Sequence, residues 1–173
     1  MAMKLKVKDK SKKQEAQTAK ELGGKTTIAS GALVQKGDVF NDHFLVECKT
    51  TEKPFYSLTE TVWKKIKKEA LNSNMRLPVM RIDIDDTGDK QSYAVLRELD
   101  FTSFCYGRAV YCLETMDSMK NVKSFRVERK RVHLVNSTMI TGKAHVMDGN
   151  LVVVIEWDDF LVLANSYFSE VKE

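Results

Sequence analysis

Lys36 to Thr51 reads KGDVFNDHFLVECKTT. It has the form of two short strands joined by a tight polar turn at Asn41-Asp42. Side chains alternate along a strand, so Phe44, Val46 and Cys48 share one face, and Leu45, Glu47 and Lys49 the other. The first set is apolar and suits a core. Asp38 opens the first strand and comes alongside Glu47 and Lys49 if the two strands pair. Two carboxylates and an ammonium on a sheet edge suit metal-assisted phosphodiester hydrolysis. Hard oxygen ligands hold Mg²⁺, the metal polarises a phosphate and acidifies a bound water, and a lysine steadies that water or the developing charge. The same spacing also fits an exposed charge pair on a half-solvated strand.

Composition sets the outer limits. The chain has 173 residues, 43% of them hydrophobic, which is enough for one globular domain with a core. No apolar run approaches the roughly 20 residues of a membrane span. MAMKLKVKDKSKK, at the start, is lysine-rich but has no apolar segment of the secretory type. Three widely spaced cysteines argue against a disulfide framework and for a reducing compartment, hence a cytoplasmic location. A net charge of +4 suits a polyanionic partner without requiring one.

Lys4, Lys6, Lys8, Lys10, Lys12 and Lys13 form a basic arm, either a solvated tail or a contact for nucleic-acid phosphates. A helix is expected from about Ser11 to Leu22, capped by Ser11 and stopped by Gly23-Gly24. Ala16, Ala19 and Leu22 mark its inward stripe. Glu15 falls within that arc and Glu21 on the other side. A carboxylate turned inward needs a partner, a metal or a lysine, unless it bends out to water at the rim. GGKTT, residues 23–27, has the end of a phosphate-binding loop. Ala19 stands where that motif needs glycine, and a helix precedes it rather than a strand, so a nucleotide site is excluded. Lys25 can still touch a phosphate. Ser30-Gly31-Ala32 is a second turn of small residues.

Taken together, Glu15 on a first helix, the GG and Ser-Gly-Ala turns, Gly37-Asp38, and Glu47-Cys48-Lys49 followed by Thr50-Thr51 resemble the PD-(D/E)XK nuclease superfamily. The likeness covers residues 11–101 and is nearest the Holliday-junction-resolvase-like branch of archaea and phages. Gly37 stands where the superfamily name has proline. The resemblance implies that Asp38, Glu47 and the Cys48 carbonyl ligate Mg²⁺ or Mn²⁺, with Glu15 completing the shell directly or through water. Lys49 then positions or activates the attacking water. Ser30 and Thr51 become supporting or phosphate-contacting groups. It further implies a homodimer that cuts branched DNA such as four-way junctions. The alternatives are a repair or restriction-type nuclease and a DNA-binding module on the same fold without catalysis.

Further along, a helix is expected from Thr59 to Asn72, with Val62, Trp63, Ile66 and Ala70 inward. Lys64, Lys65, Lys67 and Lys68 lie on its other face, as phosphate contacts (Lys64 and Lys68 above all) or as a solvated surface. Strands follow at Val79–Ile84 and Ser92–Leu99, with Asp83, Asp85, Asp86 and Asp89 at an exposed hairpin tip. Asp100 caps a short helical segment to Phe104. Lys123 to Val135 reads as a basic strand, residues 142–150 as turn-rich, Leu151 to Trp157 as an apolar strand, and Asp159 to Phe168 as a closing helix. Tyr93–Phe101 echoes Val152–Phe160, each a strand followed by an acidic cap and a helix. His43, His133 and His145 lack zinc spacing and read as surface or turn residues. The expected fold is α/β and restriction-endonuclease-like: a mixed sheet of four or five strands between the Glu15 helix and the 59–72 helix, with added C-terminal strands and a helix. Residues 1–10 are expected as a flexible arm. Residues 11–173 form one nuclease domain, with its core at 11–104 and an elaboration at 105–173.

Overall fold

The computed structural model describes residues 2–27, 37–105, 111–115, 121–129 and 140–170. In chain order its elements are α1 (Ala2–Glu21), β1 (Lys25–Thr26), β2 (Val39–Phe40), β3 (Phe44–Thr51), β4 (Phe55–Thr59), α2 (Glu60–Asn72), β5 (Leu77–Ile84), β6 (Gln91–Arg97), α3 (Glu98–Cys105), β7 (Tyr111–Thr115), β8 (Ser124–Glu128), β9 (Ile140–Met147), β10 (Asn150–Glu156) and α4 (Trp157–Glu170). The fold is α/β. One mixed sheet of eight strands runs β1-β2-β3-β5-β6-β10-β9-β7, and β4 with β8 forms a separate ribbon. β3 pairs in parallel with β5, and β7 with β9; the other pairings are antiparallel.

The sheet is buried on both faces. On one, Phe44, Val46, Cys48, Val79, Leu96 and Ile155 meet Ala19 of α1, Phe101 and Phe104 of α3, and Trp157 and Phe160 of α4. On the other, Met80, Ile82, Val95 and Val152 meet Trp63 and Ile66 of α2 and Phe125 and Val127 of the ribbon. A fully buried side chain of this size contributes roughly 1.5–3 kcal/mol by leaving water. Pro78 lies where β5 pairs only with β3, since the β5–β6 ladder begins at Met80, so its missing N–H interrupts no ladder there. Thr59 caps α2, as its hydroxyl accepts from Val62 N. Gly23 and Gly24 end α1 in a Schellman arrangement: Gly24 N donates to Ala19 O, Gly23 N donates to Lys20 O, and Gly23 has φ +60°. A Cβ on Gly24 would stand 2.6 Å from the Phe40 carbonyl oxygen, so this turn packs against β2.

Several expectations change. α1 starts at Ala2 rather than Ser11, so residues 2–10, expected as an arm, are helical. Ala16 is exposed, and the buried line of α1 is Gln14, Thr18 and Ala19. Residues 142–147 of the stretch expected as turn-rich belong to strand β9, and the turn is only Asp148-Gly149. The sheet has more strands than expected because β10 inserts beside β6, making the C-terminal third part of the central layer. The two echoing segments are those neighbours, each followed by a helix on the same face. Asp83 is not at an exposed tip but is 2% exposed beside Arg81. Asp100 lies inside α3 and accepts from Arg97 Nε and Nη2, each at 2.7 Å. His145 is buried on β9 and stacks on Phe125 at 4.0 Å. No helix among the described residues is long and apolar enough to cross a membrane.

Candidate active site

The site forms where a strand ladder stops. β2 pairs with β3 only at Val39↔Val46 and Phe40↔Leu45. One residue earlier, Asp38 N still donates to Val46 O at 3.0 Å. The next β3 group on that edge, Cys48 N–H, donates instead to the Asp38 carboxylate, with Oδ2 at 2.7 Å. A side chain therefore accepts in place of a strand carbonyl and is held in the field of Glu47 and Lys49. The N–H and C=O of one strand residue point to the same side, so the Cys48 carbonyl lies on the same edge of β3 as this bond. Thr27 fixes the Asp38 backbone from outside: its N–H donates to Asp38 O at 3.0 Å, and its hydroxyl donates to Gly37 O. Gly37 has φ +87°, and a Cβ there would stand 2.8 Å from Leu45 side-chain carbons. Glycine is needed at this bend.

On β3, Lys49 Nζ donates to Glu47 Oε1 at 2.7 Å. The Glu47 side chain is 12% exposed and that of Lys49 36%. Burial alone would lower the Lys49 pKa, but the bond to Glu47 and the fields of Glu47 and Asp38 outweigh it and raise it. Lys49 is thus held as a cation. Burial, then repulsion from Glu47, pushes the Asp38 carboxyl up, against the pull of the Cys48 N–H. Glu15, from α1, is pushed up by burial and then by Asp38, with Lys49 and Lys12 opposing. The four sequence-predicted groups Glu15, Asp38, Glu47 and Lys49 thus lie within one another's fields, although they come from a helix, the residue before β2, and β3. The Cys48 thiol turns to the opposite, core face, where burial pushes its pKa up to about 12.

The donor set suits a hard divalent cation. It comprises half-buried carboxylates that repel one another and a backbone carbonyl on the same edge. Among the described residues, no three His, Cys, Asp or Glu side chains already surround one point. Glu47 is turned to Lys49 and Asp38 to Cys48 N. Asp38, Glu47 and the Cys48 carbonyl would make the holding set, with water filling the rest, as is usual where one or two carboxylates bind Mg²⁺.

The remaining predicted residues divide. Thr51 ends β3, and its hydroxyl accepts from Lys53 N at 3.1 Å. Lys25 is exposed on the outermost strand, β1. Lys68 is exposed on α2. Lys64 is committed to Glu60 at 2.6 Å and Asp148 at 3.1 Å, and Lys67 to Asp148 at 2.7 Å, so neither is a free phosphate contact. The α2 lysine whose field reaches Asp38 is Lys65. Ser30 lies outside the described residues, as do Lys130, Arg131 and His133. Sequence reasoning missed three groups. Tyr56 of β4 stands in the fields of Lys49 and Glu47. Gln14 of α1 donates to Lys49 O. Arg81 is 1% exposed and bound to Asp83, Thr18 and Glu21. The Arg81-x-Asp83 spacing on a strand was a readable signal, since such residues share a face. A cleft of about 330 Å³ beside Arg81, lined also by Glu21, Lys90, Glu156 and Trp157, includes none of the predicted site residues. No protein-family model matches the chain, and a search of curated proteins gives no match.

Proposed function

We propose that this protein is a metal-dependent DNA endonuclease, acting on branched DNA such as four-way junctions, as a homodimer, in a cytoplasmic, DNA-containing compartment. The observation that carries the reading is the Asp38–Cys48 bond, which sets one carboxylate in the field of Glu47 and Lys49 where the β2–β3 ladder stops. Asp38, Glu47 and the Cys48 carbonyl would hold Mg²⁺ or Mn²⁺, and Glu15 would complete the set directly or through water. The cation, when bound, polarises the scissile phosphate and acidifies a water. Lys49, held protonated by its acidic neighbours, orients that water and offsets charge on the phosphate rather than accepting a proton. The α1 and α2 flanks bring Lys12 and Lys65 within range of the carboxylates, where they lessen repulsion between the site and a DNA backbone.

The test is cleavage of a labelled four-way junction beside linear duplex, with and without Mg²⁺ or Mn²⁺. Symmetric paired nicks on the junction support the resolvase reading, and cleavage of both substrates a broader nuclease. Asp38→Asn and Lys49→Ala should each lower cleavage at least 100-fold while junction binding stays within severalfold. Full activity in both variants removes the site assignment. Binding without cleavage by the wild type leaves a DNA-binding module.

A further inference from the structure

α1 carries Glu15 to the candidate centre, yet its seat on the sheet is mostly polar. Its buried line includes Gln14 at 3% exposure and Thr18 at 0%, with Ala19 the apolar contact beside them. Apolar contact is non-directional and lets a helix slide; hydrogen bonds fix where it stands. Gln14 makes two at once. Its Nε2 donates to Lys49 O at 3.0 Å, and its Oε1 accepts from the Thr50 hydroxyl at 3.0 Å. Both ends of one planar amide are thereby tied to consecutive residues of β3, the first of them the lysine of the candidate site. The Thr18 hydroxyl, donating to Gln14 O at 2.8 Å, braces the same turn. Glu15 is the next residue, about 100° around the helix. A slide of one residue, about 1.5 Å, breaks both Gln14 bonds and carries Glu15 away from Asp38.

We infer that Gln14 is a positioning residue for the candidate metal centre: its amide clamps α1 to Lys49 and Thr50 and so keeps Glu15 within the field of Asp38 and Glu47. The inference rests on the nuclease reading. Gln17, on the same helix, makes the control, since its side chain bonds Glu21 and Lys90 and no residue of β3.

The experiment measures the half-saturating Mn²⁺ concentration of the full chain in two ways, by calorimetry without DNA and by DNA cleavage. Gln14→Leu should raise it about 10-fold or more, within the range seen when a ligand's supporting partner is removed. Thr50→Val, which removes half the clamp, should move it the same way. Gln17→Leu should leave it unchanged even if the thermal midpoint falls. Gln14→Leu combined with Glu15→Gln should be no worse than the poorer single variant, because both act through one carboxylate. Additive losses, or half-saturation within twofold of wild type in both Gln14→Leu and Thr50→Val, overturn the positioning role. If Gln14→Leu does not fold, the Thr50→Val cycle with Glu15→Gln decides by the same criterion. A wild type without metal-dependent cleavage fails the nuclease reading itself, a separate outcome that takes the clamp's catalytic meaning with it.

Discussion

Replacing Arg81 by methionine should destabilise the protein by about 3 kcal/mol or more, and the structure shows why. Arg81 is 1% exposed in the middle of β5. Its Nε donates to Asp83 Oδ1 at 3.0 Å, its Nη1 donates to Thr18 Oγ1 at 3.0 Å and to Glu21, and its guanidinium lies 4.6 Å from the Trp157 ring centre. Methionine roughly keeps the volume and removes all of these. Glu21, at 24% side-chain exposure, can hydrate in compensation; Asp83, at 3%, cannot. Breaking a buried ion pair on one side costs about 3–5 kcal/mol. Lys90, 3.3 Å from Asp83 Oδ2, remains and sets the expectation near the lower end. For a chain this long, 3 kcal/mol corresponds to roughly 6–12 °C in the thermal midpoint. Urea unfolding at pH 7, followed by tryptophan fluorescence, measures the loss directly. Adding Asp83→Leu to Arg81→Met should recover at least half of it, because no stranded charge remains. A single variant within about 1 kcal/mol of wild type, or a double variant worse than the sum, would refute the account of a buried ionic tie.

Two further outcomes follow from charge and burial. Asp38→Asn should stabilise the metal-free protein by on the order of 1 kcal/mol at pH 7. Burial and Glu47 raise the Asp38 pKa in the folded state, so the wild-type penalty is absent below the ordinary aspartate value of 3.8, grows as pH rises, and is complete above the folded pKa. Thermal melts at pH 3.5 and 7 check this; equal midpoints at pH 7 would count against it, and Mn²⁺ should stabilise only the wild type. His145 has its pKa lowered by burial and then by Lys143. Its stabilising contribution is present above pH 6.5 and declines as pH falls below that, because the unfolded chain takes the proton first. The urea midpoint should therefore drop between pH 7.5 and 5.5. His145→Phe, which keeps an aromatic against Phe125, should flatten that drop; an unchanged slope would place its origin elsewhere.

The hairpin at 38–51 was legible because two independent patterns agree there: alternation along β3, and an Asn-Asp turn in which Asn41 Oδ1 accepts from both His43 N and Phe44 N. Helix α2 was legible for the same reason, with its cap at Thr59 and Trp63, Ile66 and Ala70 at helical spacing. α1 misled because its stripe is polar: periodicity of Ala16, Ala19 and Leu22 pointed a little to one side of the line that Gln14 and Thr18 bury. Only pairing across elements makes such a line inward, and no local window contains Lys49 O or Arg81. Lys64 looked like Lys65 and Lys68 until Asp148, far along the chain, claimed it. Strand order was equally non-local. Val152–Glu156 reads as an apolar strand from its own residues, but nothing within it says that its neighbour is β6.

That neighbour relation has a temporal side. The indole N–H of Trp157 donates to Glu21, 136 positions earlier, at 2.8 Å, and α4 shares a face with α1 and α3. A nascent chain emerging from the ribosome therefore carries an unfinished layer until β10 and α4 have been made. β6 waits for β10, and the apolar side of β3 waits for Phe160. Contacts this distant in sequence slow closure, and until β10 and α4 arrive the exposed strand borders are natural clients for a chaperone.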